Sequence, residues 1–191
     1  LYGVPMSTMA DMAVVASQYG LPLWMSEWSV SDGRPIGWAS VVHEMIAEHD
    51  VSAVDYMWGF FGAQNQSSLV LVDHTGKRFT GARIASSGHA MAQYARYVRP
   101  GARRVSVVSS NSSVKVTAFI KDGKVTIVAI NRLATPVTTR ISIAGVSGLA
   151  RLSLIRSGGA DKLKGVGRFD VKDNVLNVEL PPETVSTLVQ Y

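Results

Sequence analysis

The chain has 191 residues, of which 47% are hydrophobic and 17% charged, with a formal net charge of +5 and no cysteine. That length suits one domain or two small ones, and the composition is globular rather than disordered. Disulfides and thiolate metal sites are excluded, and no apolar run reaches the ~20 residues of a membrane-spanning helix. The densest basic cluster, Arg96, Arg99, Arg103 and Arg104, has no interleaved basic–aromatic repeat and reads as solvated surface, so neither nucleic acid nor membrane is expected as a partner. The opening Leu-Tyr-Gly-Val-Pro has no basic segment and no initiating Met, and reads as the interior of a longer polypeptide.

Residues 7–19 have helical spacing of Met9, Met12, Ala13, Ala16 and Tyr19, with Ser7 or Thr8 as N-cap, Asp11 in the first turn and Gly20 as the stop. The strand 21–26 follows at once, and a second helix over 36–48 places Trp38, Val41, Val42, Met45 and Ile46 on one face. Val51–Phe61 reads as another buried strand, 62–81 as a long loop, and 82–98 as a third helix ended by Pro100-Gly101. This alternation implies βαβ units and a parallel sheet, whose two strands cannot cover their own faces and edges.

From Arg103 the pattern changes to short Val/Ile/Thr-rich segments at 103–109, 114–121, 124–131, 135–144, 150–156, 166–171, 175–180 and 185–191. Turn signals separate them, Asp122-Gly123 being the strongest hairpin signal. About eight such strands predict an antiparallel β-sandwich, with the domain boundary between residues 102 and 103.

The stretch Leu23-Trp24-Met25-Ser26-Glu27-Trp28 carries the chemistry. Glu27 falls at the carboxyl end of a buried parallel strand, where catalytic side chains of βα barrels gather. A carboxylate between two tryptophans has the ingredients of a sugar site: a reactive group and flat apolar faces. The plainer alternative is a Glu that ends a strand and points to water. Other constellations fail. His43-Glu44…His49 lacks the second histidine at i+4 of a zinc helix, because position 47 is Ala, and at about 100° per residue the two histidines diverge. Gly165-Val166-Gly167 lacks the third glycine and following helix of a dinucleotide site. Asn65-Gln66-Ser67 and Asn111-Ser112-Ser113 match the glycosylation pattern and add little by themselves.

The junction from His89 to Val105, with Gln-Tyr-Ala-Arg-Tyr-Val-Arg-Pro-Gly at its centre, resembles the last barrel helix and linker of glycoside hydrolase family 30. Lys77-Arg78-Phe79 resembles the Lys-Arg-Tyr that precedes that helix. Leu23–Trp28 is similar to the family's seventh barrel strand, Tyr56-Met57-Trp58-Gly59 to its eighth, and Lys124–Asn131 and Leu180–Val189 to its sandwich strands. The resemblance implies an α/β plus all-β protein: the C-terminal portion of a (β/α)8 TIM barrel (1–102) followed by an antiparallel β-sandwich (103–191). It implies a retaining O-glycosyl hydrolase of β-linked polysaccharide or glycoside, secreted or periplasmic in a bacterium, with no cofactor and no metal. Glu27 would be the nucleophile, and Trp58, Trp28 and Tyr56 would bind substrate, Tyr56 sharing an alternation phase with Trp58. Gln64 and Asn65 are weaker candidates. The family's acid/base, a Glu after an Asn, has no counterpart, since the chain contains no Asn-Glu pair. An N-terminal barrel portion or a second copy is therefore the expected partner, beside a polysaccharide or oligosaccharide substrate. The alternative is a non-catalytic carbohydrate-binding module or a self-assembling half-barrel.

Overall fold

A computed structural model describes residues 7–29, 34–62 and 67–191. Helix α1 (Ser7–Gln18) leads into strand β1 (Leu23–Trp28), helix α2 (Pro35–His43) runs on as a π-helical turn (Glu44–Glu48), and strand β2 (Val51–Tyr56) follows. β1 and β2 pair in parallel. Pro35 starts α2 because its fixed φ and missing N–H suit the first helical position. The face predicted for this helix is the buried one: Trp38, Val42 and Met45 are each at most 3% exposed. Helix α1 differs, for only Met9 of its predicted stripe is buried, while Met12 is 43% and Tyr19 74% exposed.

The predicted loop 62–81 is not a loop. It forms strands β3 (Phe60–Gly62), β4 (Val70–Thr75) and β5 (Arg78–Ile84), a three-stranded sheet of order β3-β4-β5. The predicted strand 51–61 is thereby split, because Phe60 and Phe61 pair with Val70 and Leu71 instead of extending β2. Thr75 pairs with Arg78 across Gly76, whose φ of 59° suits the first position of a two-residue hairpin turn. Helix α3 (Ser86–Ala95) starts four residues later than the spacing suggests, since residues up to Ile84 are held in β5.

Residues 103–189 form nine strands: β6 (Arg103–Val105), β7 (Val107–Ser109), β8 (Val114–Lys121), β9 (Lys124–Asn131), β10 (Val137–Ile143), β11 (Arg151–Gly158), β12 (Asp161–Asp170), β13 (Val175–Leu180) and β14 (Thr184–Val189). The segment predicted as one strand, 103–109, breaks at Ser106: β6 joins the six-stranded sheet β12-β11-β14-β9-β8-β6, and β7 joins the three-stranded sheet β13-β10-β7. Lys121 pairs with Lys124, and Asp122 and Gly123 both take positive φ (51° and 74°), the two-residue turn read from the sequence.

The large sheet has two covered faces. Ile127 and Ala129 of β9 point into the sandwich core with Leu152, Leu154 and Leu176. Val128 and Ile130, one residue out of phase, point the other way onto Trp38, Val42, Ala90 and Tyr94 of α2 and α3. That is why β9 shows a near-continuous apolar run where a one-sided strand alternates. The sandwich and the helices on it make three layers: the sheet β13-β10-β7, the large sheet, and α2 with α3. Buried polar bonds cross the last junction, with Thr187 Oγ1 donating to the Gln93 carbonyl (2.9 Å) and Gln93 Nε2 to Ser157 Oγ (2.7 Å). No helix among the described residues is long and apolar enough to cross a membrane.

Candidate functional site

Glu27 is the penultimate residue of β1 and is exposed. Strict alternation would give Met25 and Trp28 opposite faces, yet both are buried. The register explains it. Met25 pairs with Val54 and Trp28 with Tyr56, so three steps along β1 match two along β2. One extra residue is accommodated at Ser26–Glu27, a bulge of the kind that re-aims side chains at barrel rims. It turns Trp28 into the core and leaves Glu27 at the open carboxyl end of the parallel pair.

The next residue, Trp28, belongs to an aromatic cluster. The Trp28 ring sits 5.4 Å from Trp38 and 4.9 Å, edge-on, from Tyr56, and Trp38 is 5.9 Å from Tyr56. Trp28 is only 4% exposed, so it supports the rim from below and offers no open face for a sugar ring. Tyr56 is partly buried in the same cluster, and its hydroxyl donates to the Ser67 carbonyl at 2.6 Å. Tyr56 thus ties the end of β2 to the segment entering β4. Trp58 lies past the end of β2, where its carbonyl accepts from Leu69 N–H (3.0 Å), and its partly buried ring stacks edge-on with Phe61 at 5.3 Å. Trp58 keeps surface for a ligand, as Trp28 does not. Gln64 and Asn65 lie outside the described residues.

Sequence reasoning missed the β3-β4-β5 sheet, although the apolar run Leu69–Val72 and the turn at Gly76 signalled it. It adds the exposed Phe60, Phe61 and Phe79 and a 2.6 Å ion pair between Arg83 and Asp73. The β2 side of the helix layer borders a cleft of about 1340 Å3 lined by Trp24, Trp38, Ile46, Val54, Met91 and Tyr94, among others. Trp24 is 62% exposed there, and the buried Trp38 Nε1–H has no acceptor among the described residues.

The His43/His49 segment is not a metal helix: no group of three metal-ligating side chains occurs among the described residues. The π geometry instead aligns residues five apart, His43 with Glu48 (4.0 Å) and Glu44 with His49 (3.9 Å). Burial, reinforced by nearby Lys115, lowers the His43 pKa to about 4. The Lys115 hydrogen bond holds the Glu48 carboxyl below its usual range. Three of the four arginines of the basic cluster have local partners: Arg104 pairs with Asp50 and donates to the Ala47 carbonyl (3.1 Å), Arg99 donates to the Ala95 carbonyl (2.8 Å), and Arg96 lies 5.7 Å from the Tyr97 ring centre.

Residues 101–188 match the Glycosyl hydrolase family 30 beta sandwich domain. The sandwich is thus similar to that of glycoside hydrolase family 30. The glucuronoxylanase XynC of Bacillus subtilis is 26% identical over 99% of the chain. Among solved structures, the family 30 subfamily 8 xylanase Xyn30A of Clostridium acetobutylicum aligns over 92% of the chain (24% identity, TM-score 0.76). A family 30 endoxylanase of Clostridium papyrosolvens aligns over 99% (21% identity, TM-score 0.79). The family 30 resemblance therefore extends from the sandwich across the helix layer and the parallel strands, as a C-terminal part of that family, with the fold expected from sequence: barrel strands and helices, then sandwich. The chain spans less than half of each relative, 44% of XynC and of Xyn30A and 47% of the endoxylanase.

Proposed function

We propose that this chain supplies the nucleophile and part of the substrate cleft of a retaining family 30 glycosidase acting on a β-linked polysaccharide, xylan being the first substrate to try. Residues 1–102 act as the barrel portion and 103–191 as the sandwich that braces it. The observation that carries the proposal is the register shift in β1, beside which Glu27 is exposed at the carboxyl end of a parallel strand, next to Trp28 of the aromatic cluster. The xylanases to which the chain is similar support the substrate class.

In this reading ionised Glu27 attacks the anomeric carbon and forms a covalent glycosyl-enzyme that water then cleaves. Trp58 packs against the sugar. Trp28 and Tyr56 hold the rim without touching substrate. The acid/base carboxyl must stand about 5–5.5 Å from Glu27 for retention, and it comes from an N-terminal barrel portion. The open side of β2 and the cleft lined by Trp24 and Trp38 are where such a portion would seat, and the apolar groups exposed in α1 and β3–β5 give it surface to bury. Because polymeric xylan lies outside cells, export is part of the proposal.

The test joins the chain to a family 30 barrel portion that carries the Asn-Glu strand end. The 191 residues alone should not hydrolyse xylan, and the joined protein should. Glu27→Gln, which keeps the shape and removes the charge, should abolish turnover and leave glycan binding intact. A fluorinated xyloside with a good leaving group should label Glu27, as read by peptide mass spectrometry. Label on another carboxylate, or full turnover by Glu27→Gln, would refute the assignment.

A further inference from the structure

His43 ends α2 at the junction between the helix layer and the sandwich. It is 5% exposed, and its Nδ1 lies 2.7 Å from Oγ1 of Thr117, a β8 residue that is itself 2% exposed. This bond crosses from helix to sheet between two buried side chains. The other ring nitrogen, Nε2, faces outward. Its nearest carboxylate, Glu48, is 4.0 Å away, too far for a hydrogen bond, and is already held by Lys115 at 2.9 Å. In front of it lies a cavity of about 430 Å3 lined by Gly37, Ser40, Glu44, Glu48, Lys115 and Arg132.

We propose that His43 is an acid-operated latch: neutral, it locks α2 to β8 through Thr117, and protonated, it swings into the adjoining cavity towards Glu44 and Glu48 and releases that junction. The proton comes from solvent through the cavity and lands on the imidazole, turning it into a cation with two donors. In place, that cation meets an unfavourable surrounding. Lys115 of β8 and Arg104 of β6 repel it, Glu48 of the π turn attracts it but is shared with Lys115, and Tyr94 of α3, a neutral phenol, is a second side-chain partner of Thr117. The cavity offers it two carboxylates, Glu44 and Glu48, with Lys115 and Arg132 as the cations on the same wall. Leaving removes the His43–Thr117 bond from the interface and leaves the Thr117 hydroxyl with only the Tyr94 phenol as a side-chain partner among the described residues, which weakens the packing of α2 on β8. The π turn matters because its five-residue spacing brings Glu48 under His43; an α-helix would set residue 47, an alanine, there.

The sign follows from burial. The unfolded chain takes up the His43 proton near its ordinary pKa of 6.5, whereas the folded site resists it until about pH 4. The latch is fully closed above pH 6.5, and its contribution is lost as pH falls from there towards 4.

Native-state hydrogen exchange on the whole chain between about pH 7.5 and 4.5, expressed as protection factors, tests this. The α2 and β8 amides should lose protection on acidification, while Ile127 and Leu152 of the sandwich core stay protected. In His43→Gln, whose amide can still bond Thr117 and does not titrate, the α2 and β8 protection should be flat across the window. In Lys115→Gln, which removes a repelling charge and frees Glu48, the acid midpoint should move to higher pH. The same acid loss in His43→Gln, an unmoved midpoint in Lys115→Gln, or loss of protection spread evenly through the sandwich core would overturn the latch. If His43→Gln does not fold, the Lys115→Gln shift decides alone.

Discussion

Replacing Ile130 by alanine separates two ways in which the sandwich can relate to the helices lying on it. Ile130 is fully buried on the helix-facing side of β9, against the cluster that holds Trp38, Val42 and Tyr94. Ile127, three residues earlier, is equally buried on the opposite side, in the sandwich core. Each change deletes three carbons, about 2.4 kcal/mol at ~0.8 kcal/mol per buried methylene. The residual cavity raises the expected cost to about 3–4 kcal/mol, within the ~2–5 kcal/mol range for Ile→Ala. If the helix layer folds as one unit with the sandwich, both variants should lose about that much in urea unfolding at neutral pH. The slope with urea should be unchanged, and the melting temperature should fall by roughly 6–16 °C at ~2–4 °C per kcal/mol. If the helices peel away first, Ile130→Ala should split the transition and leave the main one where it was. A cost below ~1 kcal/mol for Ile130→Ala beside a full cost for Ile127→Ala would refute the reading of a single three-layer unit.

Two further substitutions probe the sandwich. Gly123 and Gly158 both have positive φ, but a Cβ at Gly123 meets nothing within 4 Å, whereas at Gly158 it would stand 2.5 Å from the Glu183 carbonyl oxygen. Gly123→Ala should therefore cost about 1–2 kcal/mol from backbone strain alone, and Gly158→Ala distinctly more; equal melting temperatures would contradict this. Asn131 is fully buried, and its Nδ2 reaches the carbonyls of Thr135, Leu180 and Pro181 while Oδ1 accepts from Leu133 N–H. Asn131→Ala leaves these groups unpaired, so calorimetry should show a loss of about 3 kcal/mol or more, and a change under ~1 kcal/mol would mean that water replaces the amide.

The sandwich is legible in the sequence because its signals are local. Asp122-Gly123 dictates a turn whatever surrounds it, and alternation in Val137–Ile143 marks a strand with one wet face. Where tertiary contacts decide, legibility ends. Nothing in Arg103–Ser109 announces that the chain changes sheets at Ser106, since both halves are equally strand-like. The apolar periodicity of α1 marks a stripe, but periodicity does not say what covers it, and among the described residues little does. In residues 62–81 the failure is of another kind. Polar residues such as Asp73, His74 and Lys77 outweigh a hairpin pattern that is present, and the sheet they belong to is solvent-exposed enough to carry them.

The candidate site shows how far one residue of register can matter. Composition and position bring Glu27, Trp28, Tyr56 and Trp58 onto one rim, and all four stand near the ends of β1 and β2. Their division of labour is hidden in the sequence, because it depends on the extra residue at Ser26–Glu27. With regular pairing, Met25 and Glu27 would share a face, so burying Met25 would bury the carboxylate, and Trp28 would turn to the other side. The bulge breaks that tie. It lets Met25 and Trp28 both enter the core and leaves Glu27 outside it, so the apolar demands of the core no longer oppose the exposure of the carboxylate. The run Trp-Met-Ser-Glu-Trp satisfies both demands only with a bulge. Two large apolar residues three apart, flanking a carboxylate at the end of a parallel strand, are therefore the mark that such a bulge leaves in a sequence.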